Sequence, residues 1–260
     1  MGTSGQATVV SPRERELNPF TRMLLLLLAL ALGGCASAPV DDRDPLEPFN
    51  RQVYRFNDAL DRNILKPVAE KYEAITPRPV SRGITNFFSN LGDINVIVND
   101  LLQLKVAQAG FDLGRLTFNT TIGLLGFIDV ATPMDLRKHD EDFGQTLGYW
   151  GVGTGWYVVL PFLGPSTVRD GAGLVGDYHF DPVTQTADTE TRWAGITLRV
   201  VDTRAGLLRA SRVFEQAALD PYAFLRDAYF QRRENLVYDG NPPPPKFDFE
   251  DEPPEEAPAR

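Results

Sequence analysis

Few side chains in this sequence have the type and spacing to carry chemistry, and the histidines come first. His139 falls in the polar run Lys138-His139-Asp140-Glu141-Asp142, which reads as a solvated surface. His179 precedes Phe180-Asp181-Pro182, and no second His stands at metal-ligand spacing, so a Zn site is not expected. Ser166 follows Gly164-Pro165, but residue 168 is Val; the Gly-x-Ser-x-Gly nucleophile elbow is absent, and the hydroxyl reads better as a helix N-cap. Gly151-x-Gly153-x-Gly155 resembles a phosphate-binding loop only superficially. No Gly-Lys-Ser/Thr follows it, and no strand and helix can be placed around the glycines. The expectation is a protein with no catalytic residue, no metal and no cofactor.

One residue does stand where chemistry is expected. The run Met23-Leu-Leu-Leu-Leu-Leu-Ala-Leu-Ala-Leu-Gly-Gly34 is preceded by Arg13, Arg15 and Arg22 and followed by Cys35, the order of an export signal. It is shorter than the roughly 18–20 apolar residues that span a bilayer. Leu32-Gly33-Gly34-Cys35 resembles a lipobox, so residues 1–34 read as a lipoprotein signal peptide and Cys35 as the lipid attachment site. With 1 Cys in the chain no internal disulfide can form, although an exported compartment would permit one. Acyl chains anchor by about 0.8 kcal/mol per buried CH₂. Ala36, directly after Cys35, fits forwarding to the outer membrane.

Residues 35–43 read as a lipidated linker, 44–240 as one domain without an internal Pro/Ser-rich break, and 241–260, with Pro242 to Pro245 and an excess of acids, as a disordered tail. The formal charge of −9 argues against nucleic acid, which wants a basic face.

The elements that must position any site are mostly helices. Phe49, Val53, Phe56, Leu60 and Ile64 recur at helical spacing, with Asn50, Arg51, Asn57, Asp58 and Asp61 elsewhere on the wheel. After Asp93 as an N-cap, Ile94, Ile97, Val98, Leu101 and Leu102 form a second apolar stripe. Further helices are predicted over 105–121, 189–208 and 221–235, the last opened by Asp220-Pro221. Prolines 67, 77, 79, 133, 161, 165, 182 and 221 should mark breaks. No train of alternating strands is present, so the domain is predicted mainly α.

The segment 105–121 carries one stripe of Val106, Ala109, Leu113 and Leu116 and another of Phe111 and Phe118. Such a helix is either buried inside a globule or has one side on protein and one on lipid. In 148–165, Gly148, Gly151, Gly153 and Gly155 interleave with Tyr149, Trp150, Trp156 and Tyr157. Glycine gives hinge freedom, and Trp and Tyr favour a water–lipid boundary. The segment reads as a flexible loop or hairpin at a membrane interface, or as a tight turn with its aromatics packed inward.

The motifs Asp44-Pro45-Leu46-Glu47-Pro48-Phe49-Asn50-Arg51, Tyr54-Arg55-Phe56-Asn57, Gly126-Phe127-Ile128-Asp129-Val130-Ala131 and Asp142-Phe143-Gly144-Gln145-Thr146-Leu147-Gly148 resemble, in order, those of the MlaA/VacJ family of outer-membrane lipoproteins. So do Leu160-Pro161-Phe162, Arg169-Asp170-Gly171, Asp202-Thr203-Arg204-Ala205 and Asp220-Pro221-Tyr222 with Arg226-Asp227-Ala228-Tyr229. The resemblance implies a ring of amphipathic helices in the inner leaflet of the outer membrane. Phospholipids misplaced in the outer leaflet would pass through its central channel to a periplasmic lipid-carrier protein, with a trimeric porin as the usual associate. It implies a channel gate at Gly148, Gly151, Gly153 and Gly155, and a flow-controlling helix at Tyr54, Phe56 and Asn57. A lipoprotein that only scaffolds porins is the alternative.

Overall fold

A computed structural model describes residues 41–244 of the chain. The signal peptide, Cys35, Ala36 and the tail beyond residue 244 lie outside the described residues. The fold is mainly α. The elements run α1 (Glu47–Leu60), a π-helical turn (Asp61–Leu65), α2 (Lys66–Ile75), α3 (Arg78–Leu102), α4 (Val106–Thr121) and a 3-10 turn (Thr132–Met134). They continue with α5 (Phe143–Tyr149), strands β1 (Tyr157–Leu160) and β2 (Gly164–Thr167), α6 (Val168–Phe180), α7 (Thr189–Gly206), α8 (Leu208–Ala217) and α9 (Pro221–Val237).

Local sequence explains most of the boundaries. Asp142, Asp188 and Asp220 cap α5, α7 and α9 by accepting from backbone N–H groups of the first turn. Pro lies in the first turn of α1, α2, α3 and α9, where its missing N–H costs nothing. Three expectations change. Asp93 is no N-cap: it sits inside α3, fully buried, because the helix begins at Arg78 and its polar residues face inward. Ser166 belongs to β2, and the cap of α6 is the next residue, Thr167, whose hydroxyl accepts from Asp170 N. Pro67 breaks nothing; α1, the π turn and α2 form one continuous rod, the widened turn just before Pro67 being a place where a helix can absorb a lost N–H.

The helices pack in neighbouring pairs: α3 on α4, α5 on α6, α2 on α7. The α5–α6 packing is close because Gly173 lies against Gly144; a Cβ on Gly173 would meet Gly144 N at 2.4 Å. The strands form one antiparallel hairpin, Tyr157 opposite Thr167 and Leu160 opposite Gly164, turning through Pro161, Phe162 and Leu163 with Phe162 at φ 66°. Its small apolar core is Tyr157, Val159 and Tyr222, with Val53, Tyr54, Tyr229 and Phe230 packed around them.

Candidate functional site: a polar interior inside an apolar surface

The distribution of polarity is inverted. Among the described residues, polar and charged side chains in the buried class outnumber apolar ones by more than two to one, while large apolar side chains are widely exposed. Helix α4 shows why. Its buried stripe is Ala109, Asp112, Arg115 and Asn119, and Val106, Phe111 and Leu113 point outward, each more than half exposed. Apart from Ala109, neither apolar stripe read from the sequence is buried, which removes the buried-globule reading of 105–121. Helix α3 repeats the pattern, burying Asn90, Asp93, Asn99 and Asp100. In water such a surface would forfeit about 25 cal/mol for each Å² of apolar area left wet, so this exterior calls for apolar contacts that the described residues do not supply. No helix among the described residues is long and apolar enough to cross a membrane.

Most of the interior charges are paired, the fully buried Asp100 being an exception. Lys138, from the segment before α5, donates to the fully buried Asp93, with Arg115 Nε 3.7 Å from the same carboxylate. Arg115 also donates to the Leu136 carbonyl at 2.6 Å. Asp112 meets His139 Nδ1 at 2.7 Å. Glu141 accepts from Lys105 at 2.7 Å and from Gln103 at 2.8 Å, and Thr146 donates to Asn99 Oδ1 at 2.7 Å. Burial, with Asp112 and Glu141 close by, pushes the Asp100 carboxyl up to about 7. Arg233 of α9 donates to both oxygens of Asp142, at 2.5 and 3.0 Å, and to Asp170 at 3.0 Å, while Tyr229 donates to Asp170 at 2.7 Å. Burial alone would raise Asp142 and Asp170; Arg233 holds both carboxyls below the usual range.

Two clefts border this network. One, of about 400 Å³, is walled by Ser89, Lys138, Glu141, Asp142, Gln145, Tyr229 and Arg233. The other, of about 430 Å³, lies against Gly148, Gly151, Gly153, Thr154, Arg169 and again Arg233. Arg233 thus stands on the wall of both.

The glycines differ in what they are for. Gly151 closes α5: at φ +88° its N–H reaches Gly148 O at 2.9 Å and Val152 N–H reaches Leu147 O at 2.9 Å, a Schellman cap. A Cβ on Gly148 would meet Arg169 Nη1 at 2.8 Å, and Gly155, at φ +66°, would meet Val168 at 3.0 Å. Gly153 has open space around it. Of the aromatics, Tyr149, Trp150 and Trp156 are exposed, but Tyr157 is wholly buried, since it opens β1 on the inward-facing register and anchors the aromatic core. Tyr157 therefore does not stand at an interface.

Tyr54, Phe56 and Asn57 lie on α1 against the hairpin. Asn57 donates to Leu160 O at 2.9 Å and accepts from Phe162 N at 2.9 Å, and Phe56 meets Phe162 edge-on with ring centroids 5.3 Å apart. Tyr54 stacks edge-on against Tyr222 at 5.8 Å. Two turns earlier Asn50 makes the same two-armed contact, donating to Tyr157 O at 2.9 Å and accepting from Val159 N at 2.9 Å. Two asparagines seven residues apart thereby take the place of a third strand beside β1. Helical spacing puts Asn50 merely off the apolar face; a partner more than a hundred residues away leaves no local signal.

His139 and Ser166 are spent on structural partners, Asp112 and the Thr167 carbonyl. Among the described residues no group of three or more His, Cys, Asp or Glu could hold a metal ion.

Known proteins share both sequence and shape with this chain. The intermembrane phospholipid transport system lipoprotein MlaA of Escherichia coli is 41% identical over 230 residues, covering 84% of this chain and 91% of that protein. Its Haemophilus influenzae counterpart is 35% identical over 229 residues, 85% of this chain and 91% of the other. A solved structure reported for the maintenance of bacterial outer membrane lipid asymmetry matches with a TM-score of 0.66 at 35% identity, covering 75% of this chain and 98% of that one. Residues 42–236 match the family model described as MlaA lipoprotein, and the chain belongs to that family.

Proposed function

We propose that this protein is an outer-membrane lipoprotein that moves phospholipids in an intermembrane transport system, taking misplaced lipids from the outer leaflet and passing them to a periplasmic carrier. The observation that carries the reading is the inverted polarity: apolar helix faces outside and paired charges inside. A headgroup crossing hydrocarbon loses its hydration, and an isolated charge there costs many kcal/mol; an interior of Lys138, Arg115, Arg233 and their carboxylates offers replacement partners. The acyl chains would remain against apolar surface. The names and subject of the relatives point the same way.

The finer features belong to the same proposal. The helices form a ring around a channel in the inner leaflet, Cys35 carries the lipid anchor on the periplasmic side, and a trimeric porin is the membrane partner. Gly148, Gly151, Gly153 and Gly155 form the gate, with most of the hinge motion at Gly153, which neither packing nor a positive-φ cap constrains; Gly151 has open space too but is held by the cap of α5. Tyr54, Phe56 and Asn57 regulate flow by holding the hairpin. Tyr149, Trp150 and Trp156 lie at the interface. Direction comes from lipid chemical potential and the affinity of the carrier.

The test is the phospholipid exposed on the outer leaflet of cells lacking the gene, complemented with wild type or with Gly153→Pro. Loss should raise surface phospholipid, wild type should restore it, and the stiffened loop should not. Unchanged surface phospholipid after deletion would refute transport and favour a scaffold.

A further inference from the structure

Away from the paired interior, three arginines that have no partner among the described residues share a cleft. The cleft, of about 540 Å³, lies where the end of α2 and the first turn of α3 meet the α7–α8 junction, and its walls include Glu73, Thr76, Arg78, Ser81, Arg82 and Arg209. None of the three guanidiniums makes an ion pair or hydrogen bond with another described residue. Shortage of acids does not explain this, because the chain has 35 Asp and Glu against 26 Lys and Arg. Arg204, on the same helix as one wall, is tied to Asp61 at 2.6 and 2.8 Å. The walls are also fixed in place: the buried Asp202 of α7 accepts from Tyr72 of α2 at 2.8 Å and from Thr85 of α3 at 2.7 Å.

Three such guanidiniums, two hydroxyls and one carboxylate have a recognisable complement. Guanidinium forks match phosphate oxygens, and charge-assisted hydrogen bonds of that kind are the strong ones. A lone carboxylate beside them would repel a simple anion but suits a zwitterion, whose ammonium it can take. Chain neighbours of the lining residues are exposed and apolar, Ile75 at 80%, Val80 at 51% and Leu207 at 51%. We infer that this cleft binds the phosphate of a glycerophospholipid headgroup on Arg78, Arg82 and Arg209, with Glu73 placed for an ethanolamine ammonium and the acyl chains leaving over Ile75, Val80 and Leu207. The choice of a lipid over free phosphate rests on the phospholipid-transport reading; the oxygens recognised are the same.

The experiment titrates the full-length protein in detergent micelles at low salt with dihexanoyl phosphatidylethanolamine, dihexanoyl phosphatidylglycerol and inorganic phosphate, followed by calorimetry. Wild type should bind phosphatidylethanolamine best. The double change Arg78→Gln, Arg209→Gln should weaken it by about 100-fold, roughly tenfold for each guanidinium withdrawn from the phosphate, whereas Arg137→Gln, 85% exposed and outside the cleft, should leave it unchanged. Glu73→Gln should erase the preference for phosphatidylethanolamine over phosphatidylglycerol, which keeps the inference testable if the double variant does not fold. Unchanged lipid affinity in the double variant, or an unchanged headgroup preference in Glu73→Gln, overturns the site. Inorganic phosphate binding as tightly as either lipid overturns the lipid assignment. Headgroup binding together with normal surface phospholipid in deleted cells would sink the transport reading and leave this one standing.

Discussion

Removing the Asn57 amide should free the tip of the hairpin without unfolding the protein. Asn57 makes two hydrogen bonds to β-hairpin backbone, to Leu160 O and from Phe162 N, both at 2.9 Å. Each bond contributes about 0.5–1.5 kcal/mol net, so Asn57→Ala should shift local opening by about 1–3 kcal/mol, a factor of about 5–150. The change stays local because Phe162 and Leu163 at the tip are already 72% and 71% exposed, leaving little packing to lose. Asn50 differs, since its partners Tyr157 and Val159 lie in the buried core. Stranding them costs about 1–3 kcal/mol for each unsatisfied group, and Asn50→Ala should lower global stability. Hydrogen exchange read by mass spectrometry separates the two. In Asn57→Ala the peptide spanning 157–167 should exchange at least about fivefold faster while α3 and α4 keep wild-type protection; in Asn50→Ala all should speed up. Equal protection of the tip in Asn57→Ala and wild type would refute the clip, and with it the account of how α1 controls the hairpin.

Arg233→Met should destabilise the protein by up to about 3–5 kcal/mol, because the part-buried Asp142 loses its cation and the buried Asp170 is left with Arg169 as its cation; a thermal melt in detergent checks this, and adding Asp142→Asn should recover part of the loss. Asp142 and Asp170 have lowered folded pKa values, so the stability they contribute is present above the unfolded carboxylate range and is lost as pH falls through the folded values. Acid sensitivity of the melt should therefore shrink in Arg233→Met. Asp100 has the opposite sign: with its folded pKa raised to about 7, the fold loses stability as pH rises from about 4 to 7. Asp100→Asn should raise stability by about 1–3 kcal/mol at pH about 8 and leave it unchanged near pH about 4. Gly173→Ala should cost at least about 2 kcal/mol in the same melts, since the added methyl has no room against Gly144 backbone. Cys35→Ser should abolish incorporation of labelled fatty acid; retained label would place the anchor elsewhere.

Local structure was legible along the chain: helix periods, the proline and aspartate starts, the mainly α class, and motifs enough to resemble a family. Asp220 caps α9 as its spacing predicts, and the 105–121 helix falls where its periodicity puts it. The medium that each stripe faces stayed open. A period of 3.6 marks two faces of a helix and is symmetric between them, so Phe111 and Leu113 outside with Asp112 and Arg115 inside looks the same along the chain as the reverse arrangement. Packing settles it, because the polar stripe of α4 is satisfied by groups from α3 and from the segment before α5. The Arg233 pair with Asp142 spans 91 residues and the Asn57 clip more than a hundred. Hydrogen bonds of that reach leave no period or local propensity to read. Tyr157 was misplaced for the same reason: an aromatic suits a lipid boundary or a core equally well, and the register of β1 against Asn50 turns it inward. Sequence sets how each segment folds on itself, and the assembled fold sets which face is interior, because burial and charge pairing are properties of neighbours that the chain brings together only after it has folded.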